Sequence, residues 1–337
     1  MDARLNWGII ATGGIARAFA TGVAHSKTSR IVAVGSRAQS SAEKFATEFG
    51  VARAHGSYDA LLADPEVQAV YIATPHPQHV EWVIKAAKAG KHVLCEKPLS
   101  LTRPEALQAV EACQANDMLL MEAFMYRCHP QTAKVVEIVR SGVLGRVGLV
   151  QAAFGFANAF DATNRFWDKT QGGGGILDVG CYPVSFARLI AGADVGEPFL
   201  DPIDVVGAVQ LDPRTHVDAW AAATLRFATG MVAQVSTSIA LTQDNSARIY
   251  GTDGWLHIPE PWLPGKEGKP VTILHFRGAD PTPERITISP PVWLYGLEAD
   301  AFAAALAMGS KFVTQMSTLD TLGNMAVLDA WRACASR

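Results

Sequence analysis

The chain has 337 residues, 49% of them hydrophobic and 18% charged, with a formal net charge of -3. Such a length exceeds one comfortable core and predicts two packed domains, while the charge balance offers nucleic acid no basic footprint. Five scattered cysteines, Cys95, Cys113, Cys128, Cys181 and Cys334, include no C-x-x-C pair, suggest neither a disulfide framework nor a zinc site, and read as reduced thiols.

The N-terminus passes from Asp2 and Arg4 into an apolar strand without the pattern of a signal peptide. No uncharged apolar run reaches the roughly 18 residues of a membrane span. The expectation is a cytoplasmic protein with no membrane partner.

From Asn6, short β-branched runs alternate with helical stretches. Strands are predicted at 7–10, 31–36, 69–74, 91–96 and 118–123, and helices at 14–24, 40–49, 77–89 and 103–115. The last two helices carry Pro77 and Pro104 in their first turns. Strand and helix in turn predict an α/β fold with a doubly wound parallel sheet over residues 1–122, a Rossmann dinucleotide-binding domain.

The rhythm then changes. A helix at 129–141 precedes long strand-like runs at 146–157, 204–211, 218–227 and 231–241, with hairpin chemistry at 228–230 and 252–254. Helices are expected at 176–191, 295–308 and 318–335, and the proline-rich run 259–270 reads as a surface loop. Residues 123–337 are therefore expected to form an α+β domain with a large, mainly antiparallel sheet.

The turn after the first strand reads Ala11-Thr12-Gly13-Gly14-Ile15-Ala16, close to the G-x-G-x-x-G/A dinucleotide fingerprint. Gly13 would let backbone approach a pyrophosphate at the following helix N-terminus, and Ala16 would permit close helix packing. Ala11 departs from the first glycine, so the turn is expected to tolerate a Cβ. Alone, so loose a pattern also fits an ordinary strand-turn-helix corner.

Twenty-three residues past Gly13, where NAD enzymes place an acid on the ribose, the sequence reads Ser36-Arg37, with no acid before Glu43. A guanidinium and a hydroxyl suit the 2′-phosphate of NADP, so NADP is expected over NAD. The plainer alternative is an arginine that decorates a loop.

His76 and His79 have a spacing that two metal ligands could use, but no cysteine or third ligand accompanies them, and no metal is expected.

Gly13 with Ala16, "ATPHPQH" (73–79), "GKHVLCEKPL" (90–99) and "GGGGILDVGCYP" (172–183) together resemble the glucose-fructose oxidoreductase, inositol dehydrogenase and rhizopine-catabolism family, Gfo/Idh/MocA. "MEAFMYRCHPQ" (121–131) and Tyr182 are most similar to its branch of dihydrodiol dehydrogenases, NADP-dependent D-xylose dehydrogenases and glucose-fructose oxidoreductase.

The resemblance implies catalytic roles for Lys97, Asp178 and Tyr182. Tyr182 would exchange the hydroxyl proton, Lys97 would favour its phenolate, and Asp178 would bond a substrate hydroxyl and hold Lys97. Thr74, Pro75, His76, His79 and Glu96 join Lys97 and the first turn as cofactor contacts. Arg127, Arg165 and Trp167 are second-rank contacts, since an arginine and aromatic face also suit a polyol ring.

The implied substrate is a sugar, polyol or cyclic diol, and the implied assembly a homo-oligomer, dimer or tetramer, through the second-domain sheet. Two alternatives stay open: a sugar-to-sugar oxidoreductase with permanently bound NADP, and a non-catalytic NADP-binding sensor. A core tyrosine at 182 and a merely flexible glycine run at 172–175 are the structural alternatives for those two features.

Overall fold

The computed structural model describes residues 4–336. The chain forms two compact units.

The first unit takes in the chain through Cys128 together with Lys266–Gly268 and Pro291–Thr321. Its elements run β1 (Leu5–Ile10), α1 (Gly14–Val23), β2 (Ser29–Gly35), α2 (Gln39–Phe49), β3 (Arg53–His55), α3 (Tyr58–Leu62), β4 (Ala69–Ile72), α4 (His79–Lys88), β5 (His92–Glu96), α5 (Arg103–Ala115) and β6 (Leu120–Ala123). The six strands form one parallel sheet in the order β3-β2-β1-β4-β5-β6. The order reverses between β1 and β4, the place where open α/β sheets bind ligands beyond their carboxyl ends.

β-Branched and aromatic residues concentrate in β1, β2 and β4, as suits strands covered on both faces, and β4 is buried at every position. At the centre, Phe19 of α1 stacks on Tyr71 of β4 with centroids 3.8 Å apart, and Trp7 packs on Phe19 and Phe302.

The second unit takes in His129–Gly265, Lys269–Pro290 and the chain from Leu322. α6 (Pro130–Arg140) leads to β7 (Val147–Gly155), then to α7 (Cys181–Asp194), β8 (Asp204–Leu211), β9 (Asp218–Arg226), β10 (Val232–Ser238), β11 (Ala247–Gly251), β12 (Gly254–Ile258), β13 (Val271–Arg277) and β14 (Glu284–Ile288). These strands form an eight-stranded sheet, β14-β13-β12-β11-β7-β10-β9-β8, antiparallel except where β10 meets β7. Within the run Lys169–Asp194, the 18-residue window that is apolar enough to cross a membrane is wholly buried.

Against the expected break at 122/123, the first unit runs on through Cys128 and also takes in Lys266–Gly268 and Pro291–Thr321. α8 (Leu294–Ala307), within the half expected to be the second domain, packs on α1 of the first unit. Gly22 and Gly296 make that crossing possible, because a Cβ on Gly296 would lie 2.6 Å from the Gly22 carbonyl oxygen. α9 (Thr318–Ala333) follows, and a 3-10 turn at Cys334–Ser336 closes the element order.

Candidate active site

In the first unit, β1 ends at Ile10 and Ala11 turns the chain with φ 84°, its amide donating to the Gly35 carbonyl at 3.0 Å. The turn therefore keeps the left-handed conformation that glycine ordinarily supplies, and Ala11 absorbs the strain instead of altering the path. α1 then opens at Gly14 with no side-chain cap on Gly13 and no acid in its first turn. A Cβ on either Gly13 or Gly14 would meet nothing within 4 Å. Thr12 and Ile15 flank this opening, both partly exposed. An uncapped helix N-terminus with open space before it fits a pyrophosphate, whose charge would satisfy the first amides.

Ser36 and Arg37 follow β2 directly beside this turn, for Gly35 is the register partner of Ile10. Ser36 is buried and donates its amide to the His55 carbonyl, whereas Arg37 is exposed. Arg37 exerts a downward pull on the Tyr58 phenol, which burial otherwise raises above its ordinary value.

The carboxyl ends of β4 and β5 complete the edge. Thr74 is buried and its hydroxyl has no hydrogen-bond partner among the described residues. Pro75 is exposed and introduces a 3-10 turn at His76–Gln78, with His76 buried. His79 is fully buried, its Nδ1 2.9 Å from the Pro98 carbonyl oxygen and its Nε2 2.8 Å from that of Thr74. Both nitrogens thus face protein carbonyls.

Glu96 ends β5 in a buried position, accepting from the Tyr71 hydroxyl and, at 3.2 Å, from the Lys97 amide. The next amide but one, that of Leu99, donates to Glu122 at 2.9 Å. Lys97 is half-buried on this turn. Arg127 lies apart from that edge in sequence and is engaged by Asp320 at 2.7 Å, a pair with both side chains almost wholly buried. Its charge has an internal partner.

In the second unit, the glycine run is closely packed. Gly174 has φ 107°, and a Cβ there would fall 2.1 Å from an Asp218 carboxylate oxygen. Asp218 accepts the Ile176 amide at 2.6 Å, and burial raises its carboxyl to about 6. The chain continues as a π-helical turn, Ile176–Gly180, a wider coil that recurs at functional sites. Asp178 sits within it, and α7 begins only at Cys181. The expected single helix from 176 is therefore two kinds of helix, and Pro183 falls in the first α-turn, where proline is tolerated.

Asp178 is buried and accepts from Arg165 Nη2 at 2.9 Å, and Arg165 also covers the Phe166 ring at 4.3 Å. Tyr182 is buried beside Phe154 and Trp262, with centroids 5.2 and 6.1 Å away. Trp167 sits in an apolar cluster with Val217, Ala219 and Ile239, its indole N–H donating to the Ala159 carbonyl at 3.2 Å. The structure thus brings Arg165 to Asp178 and places Trp167 in a core.

Three residues that shape these segments, Glu122, Asp218 and the doubly engaged His79, carry roles that no local pattern indicates. Each acts on backbone 5 to 42 residues away.

Comparison with known proteins agrees with this architecture. Residues 5–124 match the family model described as "Oxidoreductase family, NAD-binding Rossmann fold", and residues 132–257 match "GFO/IDH/MocA C-terminal domain". A mouse trans-1,2-dihydrobenzene-1,2-diol dehydrogenase is 36% identical, with 77% of this chain and 76% of that protein covered. D-xylose 1-dehydrogenase (NADP(+)) 2 of Haloferax volcanii is 34% identical across 94% of this chain and 95% of its own. Among solved structures, a 3-ketoreductase from Actinomadura kijaniata in complex with NADP and TDP-benzene superposes with a TM-score of 0.85 at 28% identity, covering 98% of each chain.

Proposed function

The chain belongs to the GFO/IDH/MocA family of NAD(P)-dependent oxidoreductases acting on CH–OH groups, and from that premise we propose that it uses NADP and a sugar, polyol or cyclic diol. The observation that carries this reading is the open, uncapped turn at Gly13 and Gly14, with Ser36 and Arg37 beside it and no acid there. The names of the diol and D-xylose dehydrogenases support the substrate class and, for the latter, the cofactor.

When bound, the nicotinamide supplies or accepts the hydride. The first amides of α1 hold the pyrophosphate, Arg37 pairs with the 2′-phosphate, and the Ser36 hydroxyl donates to it. Tyr182 gives a proton to the carbonyl oxygen in reduction and takes it back in alcohol oxidation, a contribution of about 10²- to 10⁴-fold. Lys97 carries the ammonium that favours the phenolate form of Tyr182. Asp178, oriented by Arg165, accepts from a substrate hydroxyl.

The test is an NADP-against-NAD titration of gel-filtered protein, followed by turnover with D-xylose, D-glucose and a cyclic trans-diol. Preferential NADP binding with turnover of at least one substrate is expected. Preference for NAD, or no turnover across a broad panel of sugars and diols, defeats the reading. NADP that survives gel filtration would redirect it to a sugar-to-sugar exchange.

We further propose a homo-oligomer through the outer face of the eight-stranded sheet, where Val206 and Trp220 are exposed at 57% and 43%. Sedimentation that returns only a 36.0 kDa species removes that proposal.

A further inference from the structure

We propose that His79 is a positioning residue for Lys97: doubly protonated, it clamps the Thr74 carbonyl just past the end of β4 to the Pro98 carbonyl behind Lys97. The importance of the clamped turn rests on the role proposed for Lys97. The clamp itself rests on geometry alone.

The two ring nitrogens lie 2.9 and 2.8 Å from two carbonyl oxygens, and a carbonyl can only accept. A neutral imidazole carries one N–H, so it satisfies one carbonyl and turns a lone pair toward the other. Rotating the ring by a half-turn would present C–H groups to both oxygens and lose both bonds. Only the imidazolium donates at each end, and its charge-assisted bonds are roughly twice as strong as neutral ones. The ring has no exposed surface, so solvent cannot take over either role.

The clamp acts at the right place. Thr74 lies two residues past the end of β4, next to Ala73, whose amide donates to the Ile10 carbonyl just before the dinucleotide turn, and Pro98 follows Lys97 directly. Two further bonds hold the same segment, from the Lys97 amide to Glu96 and from the Leu99 amide to Glu122. These act on amide hydrogens, whereas His79 is the group that takes the Pro98 carbonyl. The segment is therefore gripped on both donor and acceptor sides, and the Lys97 ammonium extends from a backbone fixed at three successive points.

The titratable groups around the clamped turn are His76, whose ring centroid is 5.7 Å away, with Glu96, Lys97 and Glu122 on the strand ends. Burial of the ring, the positive end of α4, which His79 opens, and the Lys97 ammonium oppose a charge on the ring, while Glu96 and Glu122 favour it. The two carbonyls supply the direct contacts that hold it.

The test begins on the unaltered protein, with 15N spectra of the histidine rings near pH 7. The His79 signals are assigned by their loss in His79→Gln or through coupling to their own backbone. Both nitrogens are expected to be protonated, with slowly exchanging protons. In parallel, Lys97 is followed as its 13C-dimethyl signal, assigned with Lys97→Arg, and is expected to move in His79→Gln. In that variant kcat should fall roughly 10- to 100-fold, since a displaced catalytic group loses this much. A neutral His79 ring overturns the clamp whatever the turnover, and so does an unmoved Lys97 signal in a folded His79→Gln protein. Absence of turnover in the unaltered protein would instead defeat the dehydrogenase reading and leave the ring spectrum to decide the clamp.

Discussion

The Asp218 carboxylate accepts the amide of Ile176 at 2.6 Å from under the glycine turn, so a buried acid on β9 sets where the π-helical turn bearing Asp178 begins. Burial raises this carboxyl from 3.8 to about 6. The folded state therefore holds the proton more tightly than the unfolded chain. Its contribution is complete below about pH 4 and is lost as pH rises to about 6, a change of up to about 3 kcal/mol. Asp218→Asn should flatten this part of the stability profile, measured by urea unfolding between pH 4 and 7. An unchanged slope would show that Asp218 titrates as it does in the unfolded chain.

Ala11 offers a second test. With φ at 84° it occupies a region that disfavours an L side chain by about 1–2 kcal/mol, and glycine removes that strain while adding freedom to the unfolded chain. Ala11→Gly is expected to stabilise the protein by about 0.5–1 kcal/mol and leave NADP binding intact. A lower melting temperature in calorimetry would mean that the alanine methyl makes packing contacts worth more than the strain.

Much of this architecture was open to sequence reasoning, and the gaps have physical causes. The runs at 7–10, 69–74 and 91–96 announce a parallel sheet because strands buried on both faces must be continuously apolar. β3, only Arg53–His55, has no such run and no alternation long enough to detect. α8 was legible as a helix, but its small and apolar residues do not say which core they enter, and the Gly22–Gly296 approach that decides it spans the chain. The π turn escaped because a change from i+4 to i+5 bonding leaves no periodic mark in five residues. Candidate residues flanked by motif text were visible, whereas Asp218 and Glu122 act through backbone distant in sequence.

Glu298 is a buried liability of the first unit. Its side chain is fully buried on α8, and neither carboxylate oxygen has a hydrogen-bond partner among the described residues. Desolvation, then the charge of Glu96, raises its carboxyl well above 4.5. Because the folded value is the higher one, its stabilising share is present below the unfolded value and is lost as pH rises past about 4.5. Glu298→Met, of similar reach, should gain about 1–3 kcal/mol at pH 7–8 and less near pH 4. Chemical unfolding at both values checks this, and a gain independent of pH would point to packing instead of the proton.

The proposed preference for NADP rests on Arg37. It is exposed at the end of β2, where substitution leaves the core untouched, and no acid stands near it in sequence to grip a ribose diol. Loss of a charge-assisted contact with a phosphate is worth about 1.5–3 kcal/mol, or roughly 10- to 100-fold in affinity. Arg37→Ala should therefore weaken NADP binding by that factor while changing NAD binding less than about twofold. Because the interaction is exposed, the loss should shrink as salt rises. Fluorescence titration of both dinucleotides at low and high salt reads the two effects together. Equal weakening of NADP and NAD would place Arg37 on the adenine or pyrophosphate, which both share, and would leave the 2′-phosphate to another group.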